Sequence, residues 1–376
     1  MRRVLSLGVC VLALGACKKT APDAPATADA KKTVGLVTDV GGRGDQSFND
    51  SALRGLEVWA AGARFKSGVD EPVPPKERDD TIPPELRELV QLLPVKALVV
   101  ESKAQEDYEP NLQLLNDSGA DLVIGTGFML ENAVEAAAKE NPKSHFLLID
   151  SPILDSKGQP YHLPNVRTVV FREEEGSFLV GAIAAQVATG CIGFVGGMEI
   201  PLIKKFEAGF KAGVRAVKPD ARVLAAYTGS FDNVSAGKQV GQDLLAKGCD
   251  VVFQAAGSDG LGVIQAVKET RAAGKNVYAV GVDSDQWPVA PGAVLTSMLK
   301  RVDLAVYEAS KDVADGKFTA GDFAMGLKES GVSYAPIRID LKNKEEIVKR
   351  VEELRAKVVS GELKVPSTIA ELDARP

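Results

Sequence analysis

Histidine is almost missing from this 376-residue chain, with only His145 and His162 present. Zinc sites and histidine relays, which use imidazole as ligand or proton carrier, lack their usual material. Cysteine is scarce too: four residues, none in a C-x-x-C pair. Asp and Glu (51) outnumber Lys and Arg (45), and no long basic run offsets the formal charge of −6. A basic surface for nucleic acid is excluded on that ground. No later segment reaches the roughly 18 consecutive apolar residues of a membrane-spanning helix. What is present is an ordinary globular composition, 45% hydrophobic, 26% charged and 6% aromatic. At roughly 150 residues per domain, the length suits two lobes.

The beginning of the chain reads as an address. Arg2 and Arg3 precede an apolar run over 4–16. As a helix it would be about 20 Å long, short of a ~30 Å hydrocarbon core, which fits a signal peptide. The run ends in Leu14-Gly15-Ala16-Cys17, which resembles the lipobox of bacterial lipoproteins. That resemblance implies removal of residues 1–16 and acylation of Cys17, with 17–32 (from Lys18, KKTAPDAPATADAKK) as a disordered tether. The expected location is the cell envelope, with membrane contact through the lipid alone. Cys191 and Cys249 lie in apolar contexts and read as small buried hydrophobes beside strands; a disulfide between them is left open.

From residue 33 onward, short β-branched runs alternate with amphipathic stretches. Strands are expected at 34–38, 97–100, 122–125, 146–149, 167–171, 192–195, 222–226, 251–254, 277–282 and 294–298. Helices are expected at 49–60, 131–139, 174–189, 202–218, 233–246, 261–273 and 303–315. The alternation means βα units and two doubly wound, mostly parallel sheets, an α/β fold. With a crossover after Phe171 and a return near 282–291, the lobes are 33–171 with about 284–322, and 172–283 with about 323–376. Residues 67–84, charged and rich in proline, read as a long surface loop.

Ligands of such sheets bind at the carboxyl ends of strands. Those ends carry Asp39 to Asn49 (DVGGRGDQSFN), Gly125-Thr126-Gly127-Phe128, Ala255-Ala256-Gly257-Ser258, Asp283-Ser284-Asp285 and Lys300. The glycine turns lack the ending of a P-loop and a proper G-x-G-x-x-G, so nucleotide hydrolysis and dinucleotide binding are disfavoured. Phe48 is either a core plug or a stacking platform. Glycines, aromatics, a few aspartates and a lysine suit a small polar aromatic ligand.

Taken in order, VGLVTDVGGRGDQSFNDSA, YEPNLQLL, GTGFMLENAVEAAA, VVFREEEGSFLVGAIAA, IGFVGGMEIPLIKKFEAGFKAG, AAGSDGLGV, VGVDSDQ and VLTSMLKRVDLAVYE resemble the basic membrane protein family, over about 34–307. The family includes purine nucleoside receptor lipoproteins that serve ABC transporters. The resemblance implies the type I periplasmic-binding-protein fold, an ABC permease as partner, a monomer, and no catalysis, cofactor or metal. It implies that Phe48 and Phe206 sandwich a purine and that Asp283 and Lys300 hold the ribose. Asp39, Ser47, Asn49, Gly127, Phe128 and Gly257 would line the cleft. Other readings stay open: a flavin or another aromatic ligand, a sensing lipoprotein without transport, and a nucleoside-cleaving enzyme using Asp39 and Asp45.

Overall fold

The computed structural model describes residues 31–374 apart from residue 67. The signal peptide, Cys17 and most of the tether therefore lie outside the described residues. In chain order the first strands are β1 (Lys32–Val37), β2 (Ala63–Lys66), β3 (Val69–Pro72), β4 (Val95–Val100), β5 (Leu122–Thr126), β6 (His145–Ile149) and β7 (Val166–Phe171). They are followed by β8 (Cys191–Gly196), β9 (Val223–Tyr227), β10 (Cys249–Ala255), β11 (Tyr278–Asp283), β12 (Val294–Lys300), β13 (Gly321–Met325) and β14 (Val332–Tyr334).

Two six-stranded sheets result, ordered β13-β7-β6-β5-β1-β4 and β14-β12-β11-β10-β8-β9. Every pairing in them is parallel except that of β12 with β14. Helices cover both faces of a parallel sheet, so its central strands read as continuous apolar runs. β5, β8 and β11 are accordingly buried at every position, whereas the edge strand β9 is only half-buried. This is the α/β architecture of periplasmic binding proteins.

The lobe boundaries differ from expectation. Residues 294–300 pair with β11 as β12 and so belong to the second sheet, in the register Val280↔Thr296 and Asp283↔Leu299. The turn around 284–293, read from sequence as a return to the first lobe, is a short connection with one 3-10 turn (Trp287–Val289) that leads back into the same sheet. The return comes after Lys300: the helix Val302–Ala314 packs on the first lobe, and β13 completes the first sheet beside β7. The chain then crosses a third time to β14. Residues 67–84 are also not a plain loop. β2 and β3 form an antiparallel hairpin, and a helix follows at Pro75–Thr81. Most of these side chains are exposed, but Val73 and Ile82 are buried in the core and pin the insertion down.

Two helices of the second lobe, Glu173–Val187 and Pro201–Val217, pack at backbone distance. A Cβ on Gly209 would stand 2.1 Å from the carbonyl oxygen of Glu174, and one on Gly181 2.2 Å from that of Phe210. Glycine is required at both positions, and this contact sets where Phe206 sits relative to the first crossover.

Cys191 and Cys249 face each other at the amino ends of β8 and β10 and form a disulfide, so the alternative that the sequence left open is the one the fold adopts. Both residues are also buried. The bridge closes a loop with a sequence separation of 58 residues. Chain-entropy arguments give such a loop about 4 kcal/mol, with native bridges measuring roughly 2–5. The double variant C191S/C249S should therefore lose about 2–4 kcal/mol in chemical denaturation. Its ligand affinity should match the parent, because the bridge lies at the strand ends opposite the cleft.

Candidate functional site

The turn after β1 is organised by one carboxylate. Asp45 accepts hydrogen bonds from the backbone N–H groups of Ser47 (2.8 Å), Asn49 (2.7 Å) and Asp50 (3.1 Å), and from the Asn49 amide (3.0 Å). It thereby caps the helix Phe48–Leu53 and fixes the direction in which Phe48 leaves the backbone. Burial nonetheless pushes the Asp45 carboxyl up to about 6. Asn49 reaches back to accept the Asp39 N–H at 2.9 Å. Asp39 in turn accepts from the Val40 N–H at 2.7 Å and from the Tyr108 hydroxyl. Its carboxyl is raised mainly by burial. Gly127, at φ +115°, lies against this group; a Cβ there would be 3.0 Å from Asp39 Oδ2 and 3.4 Å from the Phe48 ring.

The second lobe supplies the opposite wall. Asp283 ends β11 at φ +62°, the left-handed region that an aspartate tolerates better than most residues. It accepts from the Ser47 hydroxyl across the lobes. Burial pushes its carboxyl up to about 7, and Lys300 and Ser47 only partly offset that. Lys300 ends β12 with its ammonium fully enclosed, 2.6 Å from Asp150 Oδ2 and 3.1 Å from Glu173 Oε1. The rings of Phe171, Phe48 and Phe206 surround it at 5.1, 5.2 and 5.5 Å from the ring centres. Burial works against the Lys300 charge, but Asp150, Glu173 and Asp283 together outweigh it and hold the ammonium above its ordinary range. Asp150 itself is pushed up to about 6 by burial.

Asp45, Asp150 and Lys300, with residues of both lobes, line one cavity of about 610 Å³, mouth included. Of the residues singled out from sequence, Asp39, Phe48, Asn49, Gly127, Phe128, Phe206, Gly257, Asp283 and Lys300 line it. Ser47 does not; it stands behind the wall and positions Asp283. Phe48 and Phe206 come from different lobes and line the same cavity. Sequence reasoning missed Asp150 and Phe231. Asp150 follows the carboxyl end of β6, and the strand-end rule, carried to every strand, would have found it. Phe231 meets Phe128 edge-to-face at 6.3 Å, one ring from each lobe. Asp45, named from sequence with Asp39 in the nucleoside-cleaving reading, has its carboxylate occupied by helix capping.

Residues 32–368 match the family model described as ABC transporter substrate-binding protein PnrA-like. The ABC transporter nucleoside-binding protein BmpA of Lactococcus lactis is 32% identical over 388 residues, covering 97% of this chain and 99% of that one. An uncharacterized lipoprotein of Pyrococcus abyssi is 34% identical over 317 residues, 81% of this chain and 70% of its own. A solute-binding protein of an ABC transporter system from Aeropyrum pernix superposes with a TM-score of 0.72 at 29% identity, covering 91% of this chain and 96% of that one. The fold and cleft define a substrate-binding protein. The chain belongs to the PnrA-like, or basic membrane protein, family of ABC transporter substrate-binding proteins.

The buried carboxyls give the protein a pH signature. A carboxyl whose folded pKa lies above its unfolded value stabilises the fold most below the unfolded pKa, and that stability is lost as pH rises through the folded value. For Asp283, raised from 3.8 to about 7, the window runs from pH 4 to 7. Glu174, raised to about 7 by burial, acts in the same direction. The unliganded protein should therefore be more stable at pH 6 than at pH 8, by on the order of 1 kcal/mol per group. Asp283→Asn should flatten part of that slope in parallel denaturation curves.

Proposed function

We propose that the protein is a lipid-anchored receptor that captures nucleosides, purine nucleosides first, and delivers them to the permease of its ABC transporter. The observation that carries this reading is the pairing of Phe48 and Phe206, from opposite lobes, around one cavity whose rim holds Asp39, Asp283 and Lys300. Two aromatic faces suit a planar heterocycle, and each stack contributes on the order of 1 kcal/mol beyond the burial of area. Ionised carboxylates accept from sugar hydroxyls or ring N–H groups, and such charge-assisted bonds are the strong ones. Closure of the lobes would present one shape to the transporter.

The proposed anchor is Cys17, the cysteine of Leu14-Gly15-Ala16-Cys17. An envelope location also accords with the Cys191–Cys249 disulfide, since such bonds persist in oxidising compartments. In this reading the protein works as a monomer and touches the membrane through its lipid.

A thermal-shift and calorimetry series against nucleosides, bases, riboflavin, sugars and amino acids tests the reading. A nucleoside at about 100 times its dissociation constant should add roughly 2.7 kcal/mol of stability. Phe206→Ala should weaken it about tenfold, the loss of one stack. If no nucleoside shifts the melting temperature after copurified ligand is stripped, the nucleoside reading is wrong.

A further inference from the structure

A second cavity, of about 1010 Å³ with its mouth included, opens between the β2–β3 hairpin and the helical segment Arg54–Ala61, and it shares no lining residue with the cleft. In a chain of net charge −6 its wall is locally basic: Arg43, Arg54, Arg64 and Lys66 line it, against Asp50, Glu57 and Glu71. Two of these three acids are already occupied. Buried Glu57 accepts from Arg43 at both oxygens, at 2.8 and 3.0 Å, and from the Phe65 N–H at 2.8 Å. Asp50 accepts from the Gly44 and Gln46 N–H groups at 2.9 and 3.0 Å. The donors, by contrast, are in surplus. Arg54 binds Asp303 through Nε and Nη2, which leaves its Nη1 without a protein acceptor. Arg64 meets Glu77 through Nη2 alone. Lys66 has no hydrogen bond or ion pair among the described residues. Residues two apart on a strand share a face, so β2 turns Arg64 and Lys66 to the cavity together.

We propose that this second cavity binds a phosphate oxyanion, with Arg64 and Lys66 of the hairpin and the free Nη1 of Arg54 as its donors. The planar fork of a guanidinium matches two phosphate oxygens, and an ammonium adds a point charge beside it. An anion placed there faces Glu71 as the one lining carboxylate that no protein donor holds. Glu71 stands opposite Arg64 in the hairpin register, on a strand whose residues are all exposed, where water screens its repulsion. The site is independent of whatever the cleft takes, because the two cavities have no lining residue in common.

Calorimetry with glycerol 3-phosphate, and with glycerol as the uncharged control, tests this on the parent protein and on R64Q/K66M, whose fold is checked by circular dichroism. Glycerol 3-phosphate should bind the parent saturably while glycerol does not, and the variant should bind it at least about tenfold more weakly. Sedimentation with phosphatidylglycerol vesicles against phosphatidylcholine vesicles, on a chain carrying Cys17→Ser so that no acyl group takes it to both, separates a lipid headgroup from a free phosphate as the source. A loss in R64Q/K66M confined to phosphatidylglycerol vesicles assigns the site to a headgroup, and one confined to glycerol 3-phosphate assigns it to a soluble phosphate. No binding of either probe by the parent, or equal binding by the parent and a folded R64Q/K66M, overturns the inference. Should the double variant not fold, Glu71→Gln is read instead: it should tighten binding about threefold, and an unchanged affinity overturns the inference.

Discussion

The buried ammonium of Lys300 is the interaction on which the cleft depends. It sits at the end of β12, immediately before the chain crosses back to the first lobe, and it binds Asp150 from the first sheet and Glu173 from the start of the first crossover helix. Lys205, the neighbour of Phe206, reaches the same Glu173 at 3.1 Å. One network therefore joins two crossovers, the end of a first-lobe strand and the helix that carries a cavity ring. Removing one partner from such a buried cluster costs roughly 3–5 kcal/mol, because the others are left uncompensated. Three aromatic rings around the ammonium replace part of the lost hydration.

The rest of the architecture brings groups to this point. Parallel strands deliver Asp39, Asp150, Asp283 and Lys300 to the same side of their sheets, and glycine contacts between the helices Glu173–Val187 and Pro201–Val217 place Phe206. The lobes also meet outside the cavity. The Gln286 amide donates to the Gln46 carbonyl at 3.1 Å, and Arg54 donates to Ser284 Oγ at 3.2 Å. Phe48 leaves the backbone two residues after Gln46, so the clamp on that turn also orients the ring.

Much of this was legible in the sequence, for identifiable reasons. Each strand read from β-branched runs exists; the central ones, buried on both faces, carry a continuous apolar signature. The hairpin at 63–72 escaped notice because its residues are mostly exposed and carry no alternation. The helix Lys344–Val359 shows its apolar face only at Ile347, Val351 and Val358, too sparse a stripe amid charge. The lobe boundary was misplaced because pairing between distant segments decides it, and the turn at 284–293 carries no local mark of staying in its sheet. The residues picked at strand ends with glycines and aromatics mostly line one cavity, but Asp150 follows an apolar run with neither beside it. The disulfide depended on registry between β8 and β10, which spacing alone does not give.

Lys300 joins the crossovers to the cleft through one buried network. Measuring nucleoside affinity by calorimetry and stability by denaturation on Lys300→Met tests it most directly. Lys300→Met should lose about 3–5 kcal/mol in stability together with the nucleoside binding proposed above. A variant that keeps near-parental stability and affinity would contradict it.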